Sequence, residues 1–161
     1  IGSRLVGSEM CIRDRDYVHK IIKTLQPSFL QFHGDETPKF CNQFDYPYIK
    51  AIRVSPDLNI ERAIEHFNPK GGFLFDTWHP KKYGGTGGTF DWDVLPNELK
   101  APKILAGGLT STNVGQAIKI ARPDIVDVSG GVESLKGIKD ERLIANFVDS
   151  VGSADMKINK K

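Results

Sequence analysis

Apolar side chains along the chain fall into two periods that take turns. Val18, Ile21, Ile22 and Leu25 stand at i, i+3, i+4 and i+7 and predict an amphipathic helix that Pro27 ends. Residues 29–33 (FLQFH) then read as a strand, broken by Gly34, Asp35 and Glu36. Thr37-Pro38, a capping residue followed by the proline favoured in a first helical turn, predicts a short helix next. The alternation repeats: strands are expected at 48–54 (YIKAIRV), 73–76 (FLFD), 103–106 (KILA) and 125–129 (IVDVS). Between and after them, helical faces are expected on Ile60, Ala63, Ile64 and Phe67, on Val114, Ala117, Ile118 and Ala121, and on Leu143, Ile144, Phe147, Val148 and Val151, with a weak helical turn near 93–99. Strands recurring about every 24 residues among helices argue for parallel βα units. Such units build either an open doubly wound sheet or a closed (β/α)8 barrel, and periodicity does not choose between the two.

Composition narrows the class. The 161 residues are 39% hydrophobic with 16 glycines besides, enough apolar surface for one globular core. No run of about 18 apolar residues predicts a membrane span. The 22 basic and 20 acidic residues are interspersed and form no stripe that would track a phosphate backbone, so neither membrane nor nucleic acid is an expected partner. Two cysteines, Cys11 and Cys41, make neither a disulfide scaffold nor a zinc site, and fit a reducing, cytoplasmic setting with no metal. Residues 1–15 (IGSRLVGSEMCIRDR) have neither a signal-peptide core nor a period that runs into the next segment. They resemble a translated adaptor or cloning scar, a non-native leader ahead of the folded part.

Functional residues of parallel α/β proteins gather beyond the carboxyl ends of strands. Here those positions hold His33-Gly34-Asp35, Asp76-Thr77, Ala106-Gly107-Gly108-Leu109 and the run Asp127 to Glu133 (DVSGGVE). Gly107-Gly108 and Gly130-Gly131 each follow a strand and precede an expected helix start, where backbone N–H groups approach an anion closely and the helix dipole favours negative charge. The two loops, with Ser129, are therefore the candidate phosphate site; their plainer reading is a pair of tight turns. Gln31 and His33 alternate with Leu30 and Phe32, so if the apolar pair faces helices, the polar pair faces the interior of a barrel near its mouth. The string GGTGG has no lysine followed by Ser or Thr at P-loop spacing and is not a nucleotide loop.

Taken in order, FLQFHGDE, FLFDT followed by YGGTGGTFDW, KILAGGLTSTNV and VDVSGGVESLKGIKD resemble the successive signatures of the phosphoribosylanthranilate isomerase family, over about residues 16–150. The resemblance implies an α/β fold, a partial (β/α)8 TIM barrel of parallel strands comprising about units four to eight with the helix before them. It also implies residues 16–154 as the C-terminal part of that domain, residues 155–161 as a polar tail, and an uncovered sheet edge at 29–33. The implied activity is the Amadori rearrangement of N-(5-phosphoribosyl)anthranilate to 1-(2-carboxyphenylamino)-1-deoxyribulose 5-phosphate in tryptophan biosynthesis, without cofactor. That chemistry needs an acid to protonate the ring oxygen as the C1 iminium forms and a base to take the C2 proton. By resemblance Asp76 is the acid, His33 and Gln31 belong to the substrate pocket, Asp127 faces the aminobenzoate end, and Gly107, Gly108, Ser129, Gly130 and Gly131 hold the phosphate.

Two departures follow from the same comparison. The family base, a cysteine in a K-x-C-G motif on the first strand, has no match here. Cys11 sits in the leader and Cys41 on the helix after the first expected strand, so the chain by itself is expected to be inactive. Glycine stands at 130 where the family usually has serine, which removes a hydroxyl donor but leaves the backbone amides. Two alternatives stay open on sequence: another phosphate-binding barrel enzyme, such as an indoleglycerol-phosphate synthase or a pentose-phosphate epimerase, and a non-catalytic phospholigand-binding fragment.

Overall fold

In the computed structural model, residues 15–78 and 88–158 are described. Cys11, most of the expected leader, and the loop residues His79, Lys81 and Lys82 with the GGTGG string lie outside them. Helix α1 (Arg15–Leu25) ends before Pro27 and leads to β1 (Leu30–Phe32), α2 (Pro38–Asn42), β2 (Tyr48–Val54), α3 (Ile60–Ile64) and β3 (Gly72–Thr77). A 3-10 turn (Trp92–Val94) precedes β4 (Lys103–Leu105), α4 (Val114–Ala121) and β5 (Ile125–Val126). A second 3-10 turn (Gly130–Val132) opens a hairpin, β6 (Glu133–Leu135) and β7 (Ile138–Lys139), before α5 (Glu141–Ile158).

The five main strands form one parallel sheet in the order β1-β2-β3-β4-β5, so β1 and β5 are its two edges among the described residues. Register fixes which side chains share a face. Gln31 lies opposite Ile49, Ala51 opposite Leu74, Leu74 opposite Ile104, and Arg53 opposite Asp76. One face thus carries a small apolar floor of Ile49, Ala51, Leu74, Ile104 and Ala106, all buried together. The opposite face meets the helices. Ile52, Val54, Phe73, Phe75 and Leu105 pack there with Leu109, Val114, Ala117, Ile118 and Phe147. Phe32 and Tyr48 close a second cluster with Val18, Cys41 and Phe44. Burial on both faces explains why β2 and β3 read as near-continuous apolar runs, as parallel strands do. Each fully buried Phe or Leu of this layer stabilises the fold by roughly 1.5–3 kcal/mol.

The helix starts follow the sequence signals. Thr37 caps α2 through its hydroxyl and the Phe40 N–H, with Pro38 in the first turn, and Asn59 caps α3 through the Arg62 N–H.

In the C-terminal part the structure departs from expectation. The strand expected at 125–129 ends at Val126, and the chain between it and α5 forms an antiparallel hairpin, Glu133 opposite Lys139 and Leu135 opposite Ile138. Gly137, at φ +82°, makes that reversal. A short exposed ladder of Glu, Ser, Leu, Ile and Lys carries no period that distinguishes it from loop. On α5, Leu143, Phe147, Val151 and Ala154 pack on the core, but Ile144 and Val148, one residue further round at about 100° each, stay exposed. The helix also runs through Ile158 into the expected polar tail, where no proline ends it.

Candidate active site

The carboxyl ends of β1, β3, β4 and β5 bring the polar strand-end residues together above the apolar floor. Asp76 follows Leu74 by two positions and so points to the same face. Its residue is buried, and its Oδ1 accepts the Thr77 N–H at 2.7 Å. Oδ2 faces His33 Nε2 at 3.2 Å, an ion-pair contact off the line of a hydrogen bond. On its other nitrogen, His33 Nδ1 pairs with Gln31 Oε1 at 3.2 Å. An amide oxygen only accepts, so Nδ1 carries a proton there and Nε2 meets Asp76.

Gly107 presses on the Asp76 carboxyl group from the end of the next strand. It stands at φ +83°, and a Cβ there would lie 2.6 Å from the Thr77 nitrogen and 2.8 Å from Asp76 Oδ1. Gly108 follows at φ +61°. Asn113 stitches the loop from below: its Nδ2 donates to the Gly108 carbonyl at 2.9 Å and its Oδ1 accepts the Thr110 N–H at 2.8 Å. The second glycine loop docks on the first, because a Cβ on Gly131 would collide with the Leu109 carbonyl oxygen. Gly130 has open space around it. The helix start expected directly after Gly130-Gly131 is instead the single 3-10 turn, with α5 beginning at Glu141. The backbone amides of that loop have no long helix behind them.

Asp127 sits just past β5, its N–H bonded to the Leu105 carbonyl at 2.8 Å. Burial pushes its carboxyl above the usual aspartate range, and the neighbouring Asp76 charge adds to the rise, while His33 and Lys139 oppose it. Asp76, His33 and Asp127 therefore share one electrostatic site. Among the described residues no group of three or more His, Cys, Asp and Glu could hold a metal ion.

Four charged groups around the site escape a reading based on strand ends. Arg53, opposite Asp76, reaches Asp35 Oδ1 at 2.6 Å. Lys50 and Glu36 pair at 3.0 Å beneath the β1 loop. Lys139, on the hairpin, donates to the Ser129 carbonyl at 2.9 Å and to Glu133 Oε1 at 2.7 Å. For Lys50 the signal was present: a lysine in the helix-facing column of Tyr48, Ile52 and Val54 is a charge placed where the pattern demands burial. Lys139 carried none, since the hairpin itself was not foreseen.

The family model of N-(5'-phosphoribosyl)anthranilate (PRA) isomerase matches residues 6–150. An N-(5'-phosphoribosyl)anthranilate isomerase of Neisseria meningitidis is 48% identical over 131 residues, 81% of this chain and 63% of that protein. One of Pseudomonas putida is 48% identical over 137 residues, 85% of this chain and 66% of that protein. The chain thus spans less than two thirds of the length of these curated relatives. The crystal structure of phosphoribosyl anthranilate isomerase from Thermotoga maritima superposes with a TM-score of 0.72 at 33% identity, covering 86% of this chain and 68% of that one. A second solved isomerase, in complex with reduced 1-(O-carboxyphenylamino)-1-deoxyribulose 5-phosphate, gives a TM-score of 0.65 at 29% identity over 86% of this chain and 66% of its own.

Proposed function

The chain belongs to the N-(5'-phosphoribosyl)anthranilate isomerase family, and on that premise we propose that it supplies the acid and the phosphate cup of the Amadori rearrangement of N-(5-phosphoribosyl)anthranilate. The observation that carries this reading is the placing of Asp76 Oδ2 against His33 Nε2, with Gly107 packed on the other oxygen. Asp76 delivers a proton from Oδ2 to the ribose ring oxygen as the ring opens, and the carboxylate left behind keeps the Thr77 N–H on Oδ1. Thr77 holds Oδ1 so that the proton is presented from one oxygen. The backbone amides of the Gly107-Gly108 loop and of Ser129, Gly130 and Gly131 bind the phosphate, the two loops being packed together where Gly131 meets the Leu109 carbonyl and the Val128 side chain. Asp127 borders the aminobenzoate end of the pocket, and Gln31 lies beside His33. Two cysteines in the whole chain suit a cytoplasmic setting.

The base is not found among the described residues. Cys41 is buried, and burial pushes its thiol up to about 12, so it supplies no thiolate at neutral pH. Losing a general base costs about 10²–10⁴-fold in rate. The chain alone is therefore expected to bind phosphorylated ligand and to turn over near background. Joined to upstream βα units carrying the family's K-x-C-G strand, it should gain activity, and Asp76→Asn should then remove most of kcat while leaving the fold unchanged. Steady-state assays of the three proteins test this, and undiminished kcat in the Asp76→Asn variant would refute the acid role.

A further inference from the structure

We propose that the buried Lys50–Glu36 pair is the positioning device that holds His33 against Asp76; this rests on the acid role given to Asp76 above. His33 stands one residue beyond the last ladder pair of a three-residue edge strand, Phe32 opposite Lys50, so strand pairing alone does not fix it. Lys50 does so from behind the sheet. Its ammonium donates to the carbonyls on either side of His33, Phe32 at 3.3 Å and Gly34 at 2.7 Å, and to Glu36 Oε2 at 3.0 Å. The Glu36 carboxylate in turn accepts the Gly34 N–H at 3.0 and 3.2 Å. The backbone on both flanks of His33 is thus gripped through a single ion pair, and the imidazole itself is left for Gln31 and Asp76.

The chemistry of the lysine fits positioning and no other role. An ammonium has three N–H donors, and all three are spent on the two carbonyls and the carboxylate. None remains for a substrate. The Lys50 side chain is only 4% exposed, with the Phe67 ring 5.7 Å from its nitrogen, so releasing either carbonyl would leave a buried charge under-satisfied. The three acceptors are held together because the charge has nowhere else to go. Removing the charge therefore loosens Phe32 to Gly34 and, with it, the approach of Nε2 to Oδ2.

The test reads the contact between His33 and Asp76 directly. The full chain is labelled with 15N-histidine, and the His33 ring signals are identified by their loss in His33→Gln. In the otherwise unsubstituted chain, Asp76→Asn is expected to shift the His33 Nε2 resonance. In the Lys50→Met and Glu36→Gln backgrounds the same substitution should produce a much smaller shift, while circular dichroism and the melting curve show a folded protein. A shift of undiminished size in both backgrounds overturns the positioning role. Should Lys50→Met fail to fold, Glu36→Gln decides alone, because it keeps the ammonium and removes only the charge that locks it to Gly34. Absence of any shift in the unsubstituted background is a different outcome: it removes the His33–Asp76 contact, and the acid-site reading falls together with this proposal.

Discussion

Glycines 107 and 130 occupy matching places in the two loops yet impose opposite constraints. Gly107 needs both its positive φ and its missing side chain, because a Cβ would enter the space of Thr77 and Asp76. Gly107→Ala should therefore push the acid off His33 and weaken phosphate binding together. Gly130 is strain-free and open. Gly130→Ser should fold at least as stably, within about 1 kcal/mol, and should tighten phosphate binding by adding a hydroxyl to the cup. Thermal melts and phosphate titrations of the two variants check the contrast, and a damaging Gly130→Ser would count against the cup. Asp127 makes a separate prediction through its raised pKa. The folded state holds its proton more tightly than the unfolded chain does. The stability it contributes is fully present below the ordinary value of 3.8 and is lost as pH rises through the higher folded value. Asp127→Asn should flatten the decline in Tm over that interval, and superimposable Tm-against-pH curves would contradict the assignment.

Elements differ in how openly the sequence declares them. β2 and β3 are buried on both faces, so YIKAIRV and FLFD announce themselves as apolar runs, and α2 and α3 carry their caps in plain view. β5 shows itself in the sequence but stops at Val126, short of the expected 129, and the hairpin after it stays hidden because its exposed two- and three-residue strands bury little that could leave a period. The same division holds in the site. His33, Asp76 and the two glycine pairs are legible as strand-end residues, whereas Lys50 and Lys139 act on backbone carbonyls that only the folded chain brings near them. In the hairpin, Glu133 is held below the usual glutamate range by its hydrogen bond from Lys139 first and by the Gly137 N–H second. A depressed carboxyl contributes stability that is present above the ordinary 4.5 and is lost as pH falls through the folded value. Lys139→Met should accordingly abolish protection of the Gly137 amide at neutral pH, whereas in the unsubstituted chain that protection should fade only in acid. Hydrogen exchange corrected for its intrinsic pH dependence measures both, and unchanged protection in Lys139→Met would show that the ladder stands without the ion pair.

For the whole molecule, the parallel order β1-β2-β3-β4-β5 leaves two strand edges without a neighbour among the described residues. Exposed edges template pairing with other chains. Sedimentation velocity on this chain should show association that grows with concentration, and a monomer across the accessible range would mean that the edges are covered. The sheet also sorts its residues along each strand. Leu74 belongs to the buried floor and Asp76, two positions on, to the rim; Ala51 and Arg53 repeat the arrangement on β2, and Ile104 and Gly107 approximate it on β4. Residues of the buried floor and residues of the proposed site thus share a face but not a position. Where a rim position is open, as at Gly130, a substitution leaves the floor's packing untouched, so a lineage built on this sheet can alter what it recognises there while inheriting the same scaffold intact.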